Sequence, residues 1–192
     1  MLMTFLKILL YIPLWILFPT VFKGKKNVPK GKVIFVANHR SNMDIVVLNM
    51  ALFRNQKMLA KKELFKNKLL GGFFKKMGCI PVDRGQTDLN AIKLSLKVLK
   101  NEKILTIFPE GTRNKTSAEL GEVKTGACMI AIKAKAPVVP VWIKKKPKLF
   151  CFNVIRFGKP FTLEEFYSSK LDKDTLGVAG EILEKKILEN KF

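Results

Sequence analysis

Apolar residues recur along this chain in two rhythms. Short runs rich in β-branched and apolar residues predict buried strands at Val33–Ala37 and Lys103–Phe108 and further strands at Pro137–Ile143 and Cys151–Phe157. Between them, apolar positions spaced by three and four predict helices. One continues from Ile45 to Leu52, and another covers Thr87–Lys100, with Leu89, Ile92, Leu96 and Leu99 on one stripe and Lys93, Lys97 and Lys100 off it. Two more are predicted at Lys124–Ala134 and Asp174–Asn190, the latter with Leu176, Ala179, Leu183 and Ile187 inward. Met58–Met77 reads as a basic amphipathic helix, with Leu64, Phe65, Leu69, Leu70, Phe73 and Phe74 among lysines and a weak point at Gly71-Gly72. It could lie in a lipid interface or pack on a sheet. Strands alternating with helices indicate an α/β fold, a single domain with a mostly parallel or mixed central sheet flanked by helices. A chain of 192 residues suits one such core.

The first 22 residues break the rhythm. Met1–Phe22 carries one charged side chain, Lys7, and as a straight helix would rise about 33 Å, enough to span a bilayer core. Pro13 and Pro19 argue against straightness. There is no basic leader followed by a small-residue cleavage site, so a signal peptide fits poorly. The segment is read as a membrane-anchoring helix over residues 1–22, ahead of a folded domain over 23–192; a buried core helix is the soluble alternative.

Charge supports a membrane. Against 15 acidic side chains stand 36 Lys and Arg, a formal +21, which calls for a polyanionic partner. The lysines interleave with apolar runs, and Lys23, Lys25, Lys26, Lys30 and Lys32 follow the apolar segment at once. No helix-turn-helix, RNA-binding aromatic motif or zinc finger is present, so an anionic membrane surface is expected and nucleic acid is not. Cys79, Cys128 and Cys151 form no Cys-x-x-Cys pair, and with one histidine no usual zinc set can be completed, so no metal is expected.

That one histidine is the chemical focus. His39 follows the strand ending at Ala37 and precedes Asp44 by five positions. On a regular helix these would lie about 140° apart, so they can meet only with His39 in the turn and Asp44 in the first helical turn, Ser41 acting as N-cap. His39 is then a candidate general base and Asp44 its orienting carboxylate, and Asp44→Asn would leave folding alone. Ser41-x-x-Asp44 is also a capping-box-like helix start, which is a purely structural use of the same residues. Phe108-Pro109-Glu110-Gly111-Thr112-Arg113 follows a strand end, where α/β folds place ligand sites. Gly111 would let amides approach an anion, Thr112 offers a hydroxyl and Arg113 a planar fork matched to phosphate. Arg84 is a second candidate phosphate ligand or a surface ion-pair partner. No Walker A loop and no Gly-x-Ser-x-Gly elbow occur, so neither a nucleotide-phosphate cradle nor an activated-serine nucleophile is expected.

Asn38-His39-Arg40-Ser41-Asn42-Met43-Asp44, Gly78–Arg84, the Phe108–Arg113 block and Val139-Pro140-Val141 occur in that order. Together they resemble the glycerolipid acyltransferase family, most nearly its bacterial 1-acylglycerol-3-phosphate members. The resemblance covers roughly residues 33–143. It implies a glycerol-3-phosphate acyltransferase-like fold, with acyl transfer from acyl-CoA or acyl-carrier protein to the sn-2 hydroxyl of lysophosphatidate, giving phosphatidate, and no further cofactor. It also implies catalytic His39 and Asp44; acceptor-binding Arg84, Glu110, Gly111, Thr112 and Arg113; and Lys61 as a basic residue near the site. An N-terminal hairpin-like anchor bending at Pro13 would place the enzyme at the cytoplasmic face of the cell membrane. Val139–Val141 would support the acyl-chain pocket. Glycerol-3-phosphate or another lysolipid as acceptor, and a non-catalytic membrane-binding protein, remain as alternatives.

Overall fold

The computed structural model describes residues 11–76, 78–83, 88–114 and 119–192, apart from the side chains of Leu70 and Phe73. Among these residues, seven strands form one mixed sheet: β1 (Thr20–Lys23), β2 (Val33–Ala37), β3 (Gln56–Lys61), β4 (Cys79–Val82), β5 (Ile104–Ile107), β6 (Val138–Ile143) and β7 (Asn153–Phe157). Their spatial order is β1-β7-β6-β2-β5-β3-β4. All neighbours are parallel except β6 and β7. The central strands β2, β5 and β6 are buried along their whole length, as expected where both faces are covered.

One face carries α2 (Asp44–Ala51) and the end of α1, which is helical over residues 11–17. Phe18, Ile45, Val47 and Leu48 pack there against Phe35, Val139 and Phe157. The other carries α4 (Leu89–Lys100), α5 (Gly126–Ala134) and α6 (Lys173–Glu189), with Leu99, Ile130, Leu176 and Leu183 over Ile34 and Leu105. A short α3 (Lys68–Lys76) lies beside β4.

Three expectations are corrected. The apolar N-terminal segment does not run as a helix to Phe22: the helix ends at residue 17, and Thr20–Lys23 is an edge strand paired with β7. Pro19 explains the stop, since the residue before proline is pushed out of the α region. Residues 1–10 lie outside the described residues. Among the described residues no helix is long and apolar enough to cross a membrane. Second, Met58–Met77 is not one helix but β3, a 3-10 turn at Lys62–Phe65 and α3. Gln56, Met58 and Ala60 alternate inward, and pairing with both β4 and β5 overrides the helical spacing of the apolar residues that follow. Third, the inward stripe of α4 is Ala91, Ser95 and Leu99, leaving Leu89 exposed. Small residues face the sheet where α4 approaches it and α5.

Candidate active site

The site is built where β2 ends. Ala37 is the last residue of β2 to pair with β6, opposite Val141. Asn38 then extends the ladder with its side chain: Nδ2 donates to Ile143 O at 3.1 Å, and Oδ1 accepts from Ile143 N–H at 2.7 Å. A side-chain amide thus takes the place of a backbone peptide, and the main chain is released to turn.

The turn folds around Asp44. Its Oδ2 accepts from the backbone N–H of Arg40 at 2.6 Å and of Ser41 at 2.7 Å, and lies 2.9 Å from His39 Nδ1. Ser41 is not the N-cap; Met43 holds that position and donates its N–H to Ser41 Oγ at 3.2 Å. The two readings of Asp44 therefore coexist. Its carboxylate reaches back onto the turn amides, as a capping residue does, and meets the imidazole with the same oxygen. A carboxylate only accepts, so Nδ1 carries the ring proton and Nε2 keeps its lone pair. Nε2 has no hydrogen-bond partner among the described residues. Asp44 is fully buried and His39 nearly so, so the pair sits in a low-dielectric environment where charge–dipole interactions are strong.

The second motif is tied to the same residue twice. Glu110 Oε1 accepts the His39 N–H at 2.7 Å, and Asn114 N–H donates to His39 O at 2.9 Å. Glu110 Oε2 accepts from Gly121 N–H at 3.0 Å, where a Cβ would come 2.7 Å from that oxygen. Burial pushes the Glu110 carboxyl above the ordinary glutamate range, opposed by the amides of His39 and Gly121. Phe108 stacks on the imidazole, centroids 4.0 Å apart at 18°. Gly111 has φ +66°, with Lys124 so close that a Cβ would lie 3.1 Å from Cε. Its N–H closes the turn onto Phe108 O at 3.1 Å.

The structure thus brings His39, Asp44 and Glu110 together, and gives both oxygens of Glu110 to the backbone. Thr112 and Arg113 are exposed just before Asn114, and Arg113 has no ion pair or hydrogen bond among the described residues. Lys61 lies at the same end of the sheet, the C-terminal end of β3, where its Nζ is 3.3 Å from Glu63 Oε1. Arg84 lies outside the described residues. Val139–Val141 is core strand and does not line the apolar cavity of about 410 Å³ that opens between α4, α5, β4 and β5. Phe108 and Gly111 do line it, with Leu59, Ala91, Ile92 and Ile130. Asn38, Phe108 and Asn114 carry roles that reading the motifs did not assign. A polar residue at the end of a fully apolar strand was the available signal for Asn38.

A family profile described as Acyltransferase matches residues 20–144. The chain belongs to that family. It is 35% identical over 184 residues to the 1-acyl-sn-glycerol-3-phosphate acyltransferase of Bacillus subtilis, covering 88% of this chain and 87% of the relative. The enzyme of the same name in Saccharomyces cerevisiae is 33% identical over 171 residues, 82% of this chain and 55% of the relative. The crystal structure of the 1-acyl-sn-glycerophosphate (LPA) acyltransferase PlsC from Thermotoga maritima superposes with a TM-score of 0.65 at 25% identity, covering 88% of this chain and 71% of that one. The family match begins at the first residue of β1, inside the segment expected to be an anchor.

Proposed function

We propose that this acyltransferase moves a fatty acyl group from an acyl thioester to the free hydroxyl of 1-acylglycerol-3-phosphate. The observation that carries the reading is the buried His39–Asp44 pair with Nδ1 engaged and Nε2 unpartnered. His39 Nε2 takes the proton of the acceptor hydroxyl as its oxygen attacks the thioester carbonyl carbon. The C–S bond then breaks, and the proton passes from the imidazolium to the departing thiolate, leaving ester and free thiol. Asp44 holds the tautomer and offsets the positive charge on the ring. Stacking on Phe108 fixes the ring plane. Glu110 acts as a positioning residue, fixing the His39 backbone to the loop that carries Arg113. Arg113 is assigned to the acceptor phosphate, joined by Arg84 on the sequence evidence. The apolar cavity beside Phe108 suits an acyl chain, since such pockets are concave, mostly apolar and of this size.

The relatives' names support the acceptor; acyl-CoA or acyl-carrier protein is the proposed donor, and an anionic membrane the proposed setting. The test is thiol release by the purified protein, supplied with either donor, across a panel of lysophosphatidate, other lysolipids and glycerol-3-phosphate. Preference for lysophosphatidate, abolished by His39→Ala, is expected. Preference for glycerol-3-phosphate would overturn the acceptor assignment, and unchanged turnover in His39→Ala would overturn the mechanism.

A further inference from the structure

The connection between β6 and β7 reads Lys144-Lys145-Lys146-Pro147-Lys148-Leu149-Phe150-Cys151-Phe152. Leu149, Phe150 and Phe152 are each more than half exposed, and the four lysines are exposed beside them. This segment is built. Asn153 accepts the Lys145 N–H at 3.0 Å through Oδ1 and donates to Lys145 O at 2.9 Å through Nδ2. Phe150 has φ +56°, an unfavourable backbone conformation for a bulky side chain. It is held there by its N–H donating to Leu17 O at 2.7 Å. That bond joins the loop to the end of α1, whose Ile12, Trp15 and Ile16 are also exposed. The two apolar sets meet at Leu17, and β6 delivers the loop to the end of the sheet where Asn38 and His39 lie.

The geometry points to residues 144–152 as a membrane-docking element, seating Leu149, Phe150 and Phe152 among the headgroups of an anionic bilayer while the four lysines meet the lipid phosphates. It deepens the reading above, on which the acceptor is a lipid, by naming the surface that brings the site to it. Exposed aromatic and aliphatic side chains ringed by lysines match a bilayer interface, apolar below and anionic above. An acidic carrier protein would use the lysines but leave three large apolar side chains without a stated partner.

Cys151, between the two phenylalanines, gives the test. It is exposed, whereas Cys79 and Cys128 are buried, with burial pushing their thiols up to about 11 and about 12. A polarity-sensitive fluorophore can therefore be placed on Cys151 of the full chain without mutation. Adding vesicles of phosphatidylglycerol and phosphatidylcholine should shift its emission to the blue, and phosphatidylcholine alone should do so far less. Leu149→Ser/Phe150→Ser/Phe152→Ser should weaken vesicle partitioning about 10- to 100-fold, and Lys145→Gln/Lys146→Gln/Lys148→Gln should remove the dependence on anionic lipid. Both variants should keep the wild-type Tm and turn over a short-chain monomeric acceptor within twofold of wild type. A label that stays in a polar environment while the protein floats with vesicles would overturn the proposal. So would apolar substitutions that spare vesicle binding and lower only turnover with a carrier-protein thioester, which would make the loop a protein-docking surface. These readouts require no catalysis, so a failure of the acyltransfer assignment registers separately in the thiol-release assay.

Discussion

Asp44→Asn replaces one carboxylate oxygen by an NH₂ group, and the hydrogen bonds around Asp44 let the outcome be worked out. Oδ2 holds two turn amides and the imidazole, while Oδ1 is buried without a partner among the described residues. If the amide oxygen takes the Oδ2 position, both backbone bonds survive but become neutral, losing about 1 kcal/mol each. The NH₂ then occupies the unpartnered position, at a cost of about 1–3 kcal/mol. Relief from burying a charge offsets part of that. In the opposite rotamer the NH₂ faces two N–H donors, which is worse. A net loss of roughly 2–3 kcal/mol is expected, or about 4–12 °C in Tm for a chain of this size. Turnover should fall on the order of 10²- to 10⁴-fold. The expectation that this substitution spares folding is therefore withdrawn: the residue that orients the base also closes the turn. His39→Gln should lose turnover as heavily with a smaller change in Tm, because it leaves the Asp44 bonds to Arg40 and Ser41 in place. Thermal melts beside thiol-release kinetics separate the two effects. Wild-type Tm together with turnover within threefold for Asp44→Asn would refute the account of Asp44 altogether.

Three further outcomes follow from the same geometry. Glu110→Gln should lower kcat and raise KM for the phosphorylated acceptor, since one of two backbone amides must then face an NH₂ and the tie between His39 and the Arg113 loop loosens. Its stability deficit should also shrink as pH rises from below the ordinary glutamate pKa through the raised native one. The native state holds that proton more tightly than the unfolded chain, so wild type loses stability across this window while the variant does not; melts at stepped pH check this. Arg113→Ala should depress kcat/KM for a phosphorylated acceptor about 10- to 150-fold relative to monoacylglycerol of the same chain, and Arg113→Lys should recover little; equal losses on both acceptors would remove the phosphate assignment. Deleting residues 2–16 should leave a folded chain whose vesicle binding is salt-sensitive, the Debye length being about 3 Å at 1 M. Deleting 2–22 should lower Tm as well, because it removes buried Phe18 and most of β1.

The sequence was most legible where both faces of a strand are covered. Val33–Ala37, Ile104–Ile107 and Val138–Ile143 are apolar save for Thr106 because every side chain on them is buried, and their boundaries could be read almost to the residue. The His39–Asp44 contact was legible because a turn between the strand end and the helix is the one arrangement that lets residues five positions apart meet. β1 was hidden by composition: Val21 and Phe22 extend an apolar run that favours a helix until Pro19 stops it, and pairing with β7 involves residues 130 and more positions away. β3 was hidden because Lys61 and the lysines after it follow Met58 and Ala60 as the polar face of a helix would, and only pairing with β4 and β5 fixes the alternation. The role of Glu110 was hidden for a different reason. A glutamate in a phosphate-binding-like turn reads as a ligand, whereas the fold gives both of its oxygens to the backbone amides of His39 and Gly121.

The Asn38 clamp has a mechanical consequence. Ile143 is the last residue of β6, and its N–H and C=O both belong to Asn38, one residue before the base. The lysine-rich connection begins at the next position. A rigid strand end with no compliant joint therefore separates the imidazole from the loop, and the two rise or sink together. On the membrane-docking proposal, the depth at which Leu149 and Phe150 seat in lipid would fix the height of Nε2 above the headgroups, as a float fixes the height of a sensor. Two glycines inserted between Ile143 and Lys144 should slacken that linkage, leaving vesicle binding intact while turnover on bilayer-embedded acceptor falls and turnover on a monomeric acceptor does not.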